Sequence, residues 1–217
     1  MGLPLEKLTL EAFLEWENAQ HTRNEFYRGN VFAMVGARRA HGTVVSNLVR
    51  HLGNALDGSP FRVFHAGMKV QIADEAILYP DVFVTCDKAD LATDMLFKAP
   101  TLMIEVLSPT TEDYDRSQKY ALYRRLPSLK EYVLINPDTR RVESFTRGVD
   151  DLFVLHDMSA SEAVQFRSLN ISVPVAAVCA GLRSKLGIED KGQLTGSMHL
   201  PLHFAHFQSL LSDRYAA

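Results

Sequence analysis

Between Leu102 and Leu107 the chain reads Leu-Met-Ile-Glu-Val-Leu, and the single carboxylate in that run constrains the fold more than any other feature. A continuous apolar run bounded by Pro100 and by Ser108-Pro109 is the pattern of a strand covered on both faces, which requires a sheet with layers packed on each side. A lone ionised carboxylate inside such a strand costs several kcal/mol unless it is paired or bound to a cation. Glu105 is therefore either a core acid paired with an arginine or part of a site.

A second acid stands upstream. In Tyr79-Pro80-Asp81 the proline suits a strand entrance, because it cannot donate to a ladder, and Asp81 then heads the apolar Val82-Phe83-Val84. Asp81 is either an ordinary strand-end acid or the partner of Glu105. Two carboxylates on neighbouring strands would offer hard oxygen ligands of the kind that suit Mg²⁺ or Mn²⁺.

Downstream, Asp115, Lys119 and Tyr123 recur at every fourth position, so a helix would carry them on one face. A lysine beside a carboxylate-bound metal can hold an attacking water and neutralise charge on a phosphate oxygen. The plainer alternative is a solvated Asp–Lys pair worth a few tenths of a kcal/mol.

The remaining pattern supplies the frame. Thr9 is a suitable N-cap for a short helix with Leu10, Phe13 and Leu14, and Asn24 to Val35 reads as two strand runs around Arg28-Gly29-Asn30. A helix is expected over Ala40 to Leu56, and strands over Phe61 to Ile72, Tyr79 to Cys86 and Pro100 to Leu107. Asp113 to Leu126 reads as a second long helix, with Asp115 and Gln118 as a capping-box-like start. Strands at Glu131 to Ile135, Arg141 to Phe145 and Leu152 to Leu155 form an expected meander. The fold class is α/β or α+β: a mixed central sheet flanked by helices.

Hydrophobic residues make up 47% and charged residues 23% of the 217, ordinary globular usage that argues against disordered, collagen-like or coiled-coil classes. No apolar run reaches about 18 residues and no secretory pattern is seen, so neither a membrane partner nor export is expected. The net charge of −3 excludes a wholly basic nucleic-acid footprint but leaves room for a local basic groove. Two cysteines, Cys86 and Cys179, make no disulfide framework and read as buried, reduced thiols of a cytoplasmic protein. Glycine-rich phosphate loops, G-x-S-x-G, H-E-x-x-H and paired C-x-x-C motifs are all missing.

The string YPDVFVTC followed by TLMIEVLSPTTEDYDRSQKYALYRRLPSLKEYVLINPD resembles the bacterial Uma-type restriction-endonuclease family. That family is a domain-of-unknown-function group of the PD-(D/E)XK nuclease superfamily. NEFYRGNVFAMVGA, His41 and the GMKV segment match it in order and spacing. The resemblance spans Leu8 to Gly148 well, continues weakly to about Leu182 and leaves the tail unmatched. It implies a restriction-endonuclease-like domain over 1–182, followed by a linker and tail over 183–217.

It further implies Asp81 and Glu105 as metal ligands, Mg²⁺ (or Mn²⁺) as cofactor, and hydrolysis of DNA phosphodiesters by a homodimeric endonuclease. Glu25 resembles an extra acid near the N-terminus of such nucleases, against the plainer reading of a strand surface charge. The superfamily's usual lysine, two residues beyond the second acid, is replaced by Leu107. Lys119 is then the expected catalytic lysine and Lys69 the reserve. His41, Arg116 and Lys69 are the expected nucleic-acid contacts, against the plainer readings of a helix-start residue for His41 and a solvated helix face for Arg116, and Asp115 and Tyr123 support the site. Because of Leu107 and the negative net charge, a catalytically silent nuclease-fold module that binds nucleic acid or a protein stays open. So does a structural domain whose buried acids pair internally.

Overall fold

The chain is described from a computed structural model over residues 7–34, 36–65, 67–159 and 161–183. Thr9 caps the first helix, α1 (Leu10–Asn18), its hydroxyl accepting from the Ala12 amide at 3.2 Å. The expected hairpin follows as β1 (Asn24–Tyr27) and β2 (Asn30–Ala33). Arg28 and Gly29 make its turn with φ of 46° and 85°, the left-handed region that a two-residue hairpin turn demands. The long helix α2 (Arg39–Ala55) buries Val44, Val45, Leu48 and Leu52, with buried Asn47 bonded to the Val178 and Ala180 carbonyls.

The expected strand over Phe61 to Ile72 divides in two. β3 (Arg62–His65) and β4 (Lys69–Ile72) lie in different sheets, and Gly67 between them turns the chain at φ 117°. Only glycine adopts that conformation without strain of about 1–3 kcal/mol. Gly67→Ala should therefore lower stability by about that amount, read from urea unfolding.

Then come β5 (Ala76–Leu78), β6 (Val82–Thr85), a short 3₁₀ turn, β7 (Leu96–Phe97) and β8 (Leu102–Val106). The next helical stretch is three pieces rather than one regular helix: α3 (Glu112–Tyr114), a wide π turn (Asp115–Lys119) and α4 (Tyr120–Tyr123). It begins at Glu112, so Asp115 lies inside it and is not its cap. The meander forms as β9 (Glu131–Asn136), β10 (Arg141–Arg147) and β11 (Phe153–Asp157). A hairpin not foreseen from the sequence, β12 (Ala163–Phe166) and β13 (Ile171–Pro174), leads into α5 (Val175–Val178).

A six-stranded mixed sheet runs β11-β10-β9-β8-β6-β3, and a five-stranded sheet runs β2-β1-β5-β4-β7. β8 is central in the first sheet, parallel to β9 and antiparallel to β6. Its residues alternate between two cores. Leu102, Ile104 and Val106 pack under α2 with Val82 and Val84, while Met103 and Leu107 pack with Phe83, Leu122, Tyr123 and residues of the five-stranded sheet. Leu107 is thus a core residue, which explains an apolar side chain where the nuclease pattern has lysine.

Cys179 is buried as expected; Cys86, just past the end of β6, is half-buried instead, and both are free thiols. No helix among the described residues is long and apolar enough to cross a membrane. The expected linker and tail over 183–217, in which His199, His203 and His206 recur at helical metal-ligand spacing interrupted by Pro201, lie almost wholly outside the described residues.

Candidate functional site

The pairing of β6 with β8 sets Val82 opposite Ile104, which brings the preceding Asp81 beside Glu105 at the open end of the two strands. Their side chains are cross-braced by backbone. The Asp81 amide donates to Glu105 Oε2 at 3.3 Å, and the Val106 amide donates to Asp81 Oδ2 at 2.7 Å. His41, on the first turn of α2, donates from Nε2 to the same Asp81 oxygen at 2.9 Å. A carboxylate only accepts, so the hydrogen bond places the ring proton on Nε2.

From the other side, the helical stretch delivers the face read from sequence. Lys119 Nζ lies 3.2 Å from Glu105 Oε1, 3.3 Å from Glu25 Oε1 and 3.4 Å from Asp115 Oδ1. Tyr123 donates its hydroxyl to Glu105 Oε1 at 2.9 Å. Tyr132 bonds the Asp115 carbonyl at 2.9 Å, anchoring the π turn to β9. Lys119 is buried, and its ammonium stands 5.6 Å from the centre of the Tyr114 ring.

Glu25 comes from β1 in the other sheet and is fixed by the Tyr79 amide, which donates to its Oε1 at 3.1 Å. Three carboxylates therefore contact one ammonium, with Asp81 standing beyond Glu105. Burial first, then the charges of Asp81, Asp115 and Glu25, push the Glu105 carboxyl well above the usual range, against the pull of Lys119. Burial likewise raises Asp115, opposed by Lys119. Burial alone would lower Lys119, but Glu105, Glu25, Asp115 and Asp81 outweigh it and hold the ammonium firmly protonated.

Other buried acids behave differently. Asp90 accepts from the Lys98 and Ala99 amides at 2.8 and 2.9 Å and from Thr85, and Glu131 accepts from Ser144 and Ser168. Neutral donors saturate those carboxylates, and their role is structural. The three around Lys119, with Asp81 beside them, are instead crowded together. Asp115 Oδ1 is buried with no hydrogen bond, facing only the Lys119 ammonium.

That surplus of hard, negative oxygen fits a small divalent cation at Asp81 and Glu105. Among the described residues no group of three or more His, Cys, Asp or Glu side chains is already arranged to hold one.

The sequence expectations divide cleanly. Asp81, Glu105, Lys119, Glu25, Asp115, Tyr123 and His41 converge. Lys69 does not: it is buried, and its ammonium donates to Asn18 Oδ1 at 2.6 Å. Arg116 is turned away to Glu112 and Glu143. His41 stands in the first turn of α2 and meets Asp81.

Sequence reasoning missed a support. Buried Glu17 accepts from the Tyr79 hydroxyl at 2.7 Å and the Asn24 amide at 3.0 Å, locking α1, β1 and the Tyr79 segment around Glu25. A signal existed, since Leu10, Phe13 and Glu17 share a helical face and a charge interrupts it.

Comparisons with known proteins agree with this frame. The family described as "Uma2: Putative restriction endonuclease" matches residues 10–176. Two uncharacterized proteins of Synechocystis sp. (strain ATCC 27184 / PCC 6803 / Kazusa) are similar along most of the chain. One, slr1290, is 32% identical over 82% of this chain and 95% of its own length. The other, sll1609, is 30% identical over 76% and 95%. Among solved structures, a "putative nuclease belonging to DUF820" from Anabaena variabilis ATCC 29413 superposes with a TM-score of 0.68. It shares 16% identity and covers 81% of this chain and 99% of that one, a likeness of fold.

Proposed function

The chain belongs to the Uma2 restriction-endonuclease family, and from that premise we propose a Mg²⁺- or Mn²⁺-dependent endonuclease that hydrolyses phosphodiester bonds in DNA. The observation that carries the proposal is Asp81 and Glu105 side by side at a strand end, with the Lys119 ammonium 3.2 Å from Glu105. Asp81 and Glu105 would hold the cation, which supplies Lewis-acid activation of water and charge neutralisation at the scissile phosphate.

The protein's own groups do the positioning. His41 and the Val106 amide fix one oxygen of Asp81, leaving the other for the cation. Tyr123 and Lys119 fix Glu105. Glu25 and Asp115 keep Lys119 protonated, so it orients a nucleophile or meets a phosphate oxygen as a donor, never as a base. We assign this work to residues 1–182, acting in the cytoplasm as a homodimer able to cut both strands.

The test is incubation of an end-labelled DNA duplex, and of an RNA strand of the same sequence, with Mg²⁺ or with EDTA. DNA fragments that appear only with the cation are expected. Fragments from RNA alone would overturn the substrate assignment. The rival silent module draws on Lys119, which already neutralises part of the cluster; it expects no cutting and no cation uptake.

Cation uptake should also release protons. Because burial and the neighbouring acids disfavour the ionised Glu105 carboxyl, the cation must compete with protons for it. Affinity for Mn²⁺ should fall as pH is lowered. Calorimetry in two buffers of different ionisation enthalpy should give different apparent heats, and equal heats would contradict the assignment.

A further inference from the structure

Each of the three cations expected at nucleic acid is engaged elsewhere. Lys69 bonds Asn18, Arg116 pairs with Glu112 and Glu143, and His41 holds Asp81. Near the first turn of α2, Arg38 pairs with Asp138 at 2.9 Å and Arg39 reaches the Gly181 carbonyl at 3.5 Å. A cluster of acids that admits a phosphodiester needs a positive group at its entrance, because the two otherwise repel. Arg23 stands in that position.

Arg23 directly precedes β1, and the Met34 amide donates to its carbonyl at 3.0 Å. That bond extends the Asn24–Ala33 register by one pair. Strand alternation then puts Arg23 on the face of Glu25, which meets Lys119, and not on that of Phe26, which packs under α1. The guanidinium lies against Gly67: a Cβ there would come within 2.7 Å of Arg23 Nη2 and 3.1 Å of Cζ. β3 sets His65 opposite Val82, so Gly67, two residues on, lies at the Asp81 end of β6. Burial and then Glu17 raise the Tyr79 hydroxyl, and the Arg23 charge pulls against them, a second sign that it stands beside Tyr79-Pro80-Asp81.

Arg23 is exposed, and among the described residues no acid pairs with it. An exposed arginine ordinarily gives up rotamer freedom when it binds, but here the bare Gly67 backbone already seats the guanidinium. Its planar head presents paired N–H donors that match two oxygens of one phosphate.

We infer that Arg23 receives a backbone phosphate of the DNA beside the scissile position, on the Glu25 side of the Asp81–Glu105 pair. This rests on the nuclease reading above and adds the residue that seats the substrate. Arg23 binds the strand and leaves the cation to Asp81 and Glu105.

The test is fluorescence anisotropy of a labelled duplex titrated with the full chain, in EDTA and in Ca²⁺, over a series of salt concentrations. Arg23→Gln keeps much of the length and removes the charge, whereas Arg23→Lys keeps the charge. Arg28→Gln removes an equal charge at the turn of the same hairpin, where Arg28 pairs with Glu75 instead. Arg23→Gln should bind about tenfold more weakly. It should also flatten the slope of log affinity against log salt by about 0.9, the share of one phosphate. Arg23→Lys should keep the wild-type slope, and Arg28→Gln should keep both affinity and slope.

Equal binding by Arg23→Gln and the wild type would overturn the assignment, as would a wild type that binds no duplex in either condition. An equal loss in Arg28→Gln would overturn it too, by showing that net charge alone matters. So would a flattened slope in Arg23→Lys, which would trace the loss to the fold. Arg23→Met, judged by the same two readouts, stands in if Arg23→Gln does not fold. Plasmid nicking by the same samples is read separately. Binding that depends on Arg23 without any nicking would keep this assignment and remove the nuclease; nicking with an unchanged KM in Arg23→Gln would do the reverse.

Discussion

Lys119→Met is expected to cost the metal-free protein about 3–5 kcal/mol at pH 7, the usual penalty for stripping one partner from a buried ion pair. Lys119 is 7% exposed, and its ammonium faces Glu105, Glu25 and Asp115 within 3.4 Å. Methionine preserves much of the volume, so the loss measures charge. The pH dependence gives the sign. Carboxyls whose folded pKa lies above the unfolded value bind more protons in the native state, so stability falls as pH rises between the two. Glu105 and Asp115 are already in that position, and removing Lys119 pushes them further. Urea unfolding should therefore show the variant recovering stability as pH is lowered from 8 toward the ordinary carboxylate range of about 4.3. Added Mg²⁺ should restore part of it at neutral pH by supplying the missing positive charge. A loss below about 1 kcal/mol, independent of pH, would mean that the three acids do not depend on Lys119.

The second large effect is expected at Glu105 and moves activity without stability. Glu105→Gln keeps the shape and the acceptor for Tyr123 while removing the charge. Lys119 keeps Glu25 and Asp115 as partners, so thermal stability should change by less than about 1.5 kcal/mol. Cleavage should fall on the order of 10³-fold, the scale seen when a charge-stabilising contact at a reacting centre is removed. The same change should weaken Mn²⁺ binding. A variant that binds the ion and cuts like the wild type would remove Glu105 from the site.

Much of this site is legible in the sequence because it obeys local periods. Asp81 and Glu105 stand out as charges in strand-like apolar runs, and Asp115, Lys119 and Tyr123 keep one face even through a π turn. Leu107 in the customary lysine position points to a lysine from elsewhere, and the nearest helix sets Lys119 3.2 Å from Glu105. What was not legible depends on pairings between distant short strands. Phe61 to Ile72 looks continuous by composition, yet Gly67 splits it between two sheets. That split carries Lys69 away to Asn18. Arg116 looks like a free cation on a helix, and only the fold shows Glu143 of β10 beside it. The Glu17–Tyr79 bond joins residues far apart in the chain, and no spacing rule foretells it.

The most direct measurement is relaxation of supercoiled plasmid by the wild type and by Glu105→Gln, expressed and purified side by side, with Mg²⁺, Mn²⁺ or EDTA. The matched variant matters because a contaminating nuclease would cut equally in both preparations. A metal-dependent nuclease centred on Asp81, Glu105 and Lys119 predicts nicking by the wild type with either cation, none with EDTA, and loss of nicking in the variant. Equal cutting by both preparations, or no cutting by either with either cation, would contradict it.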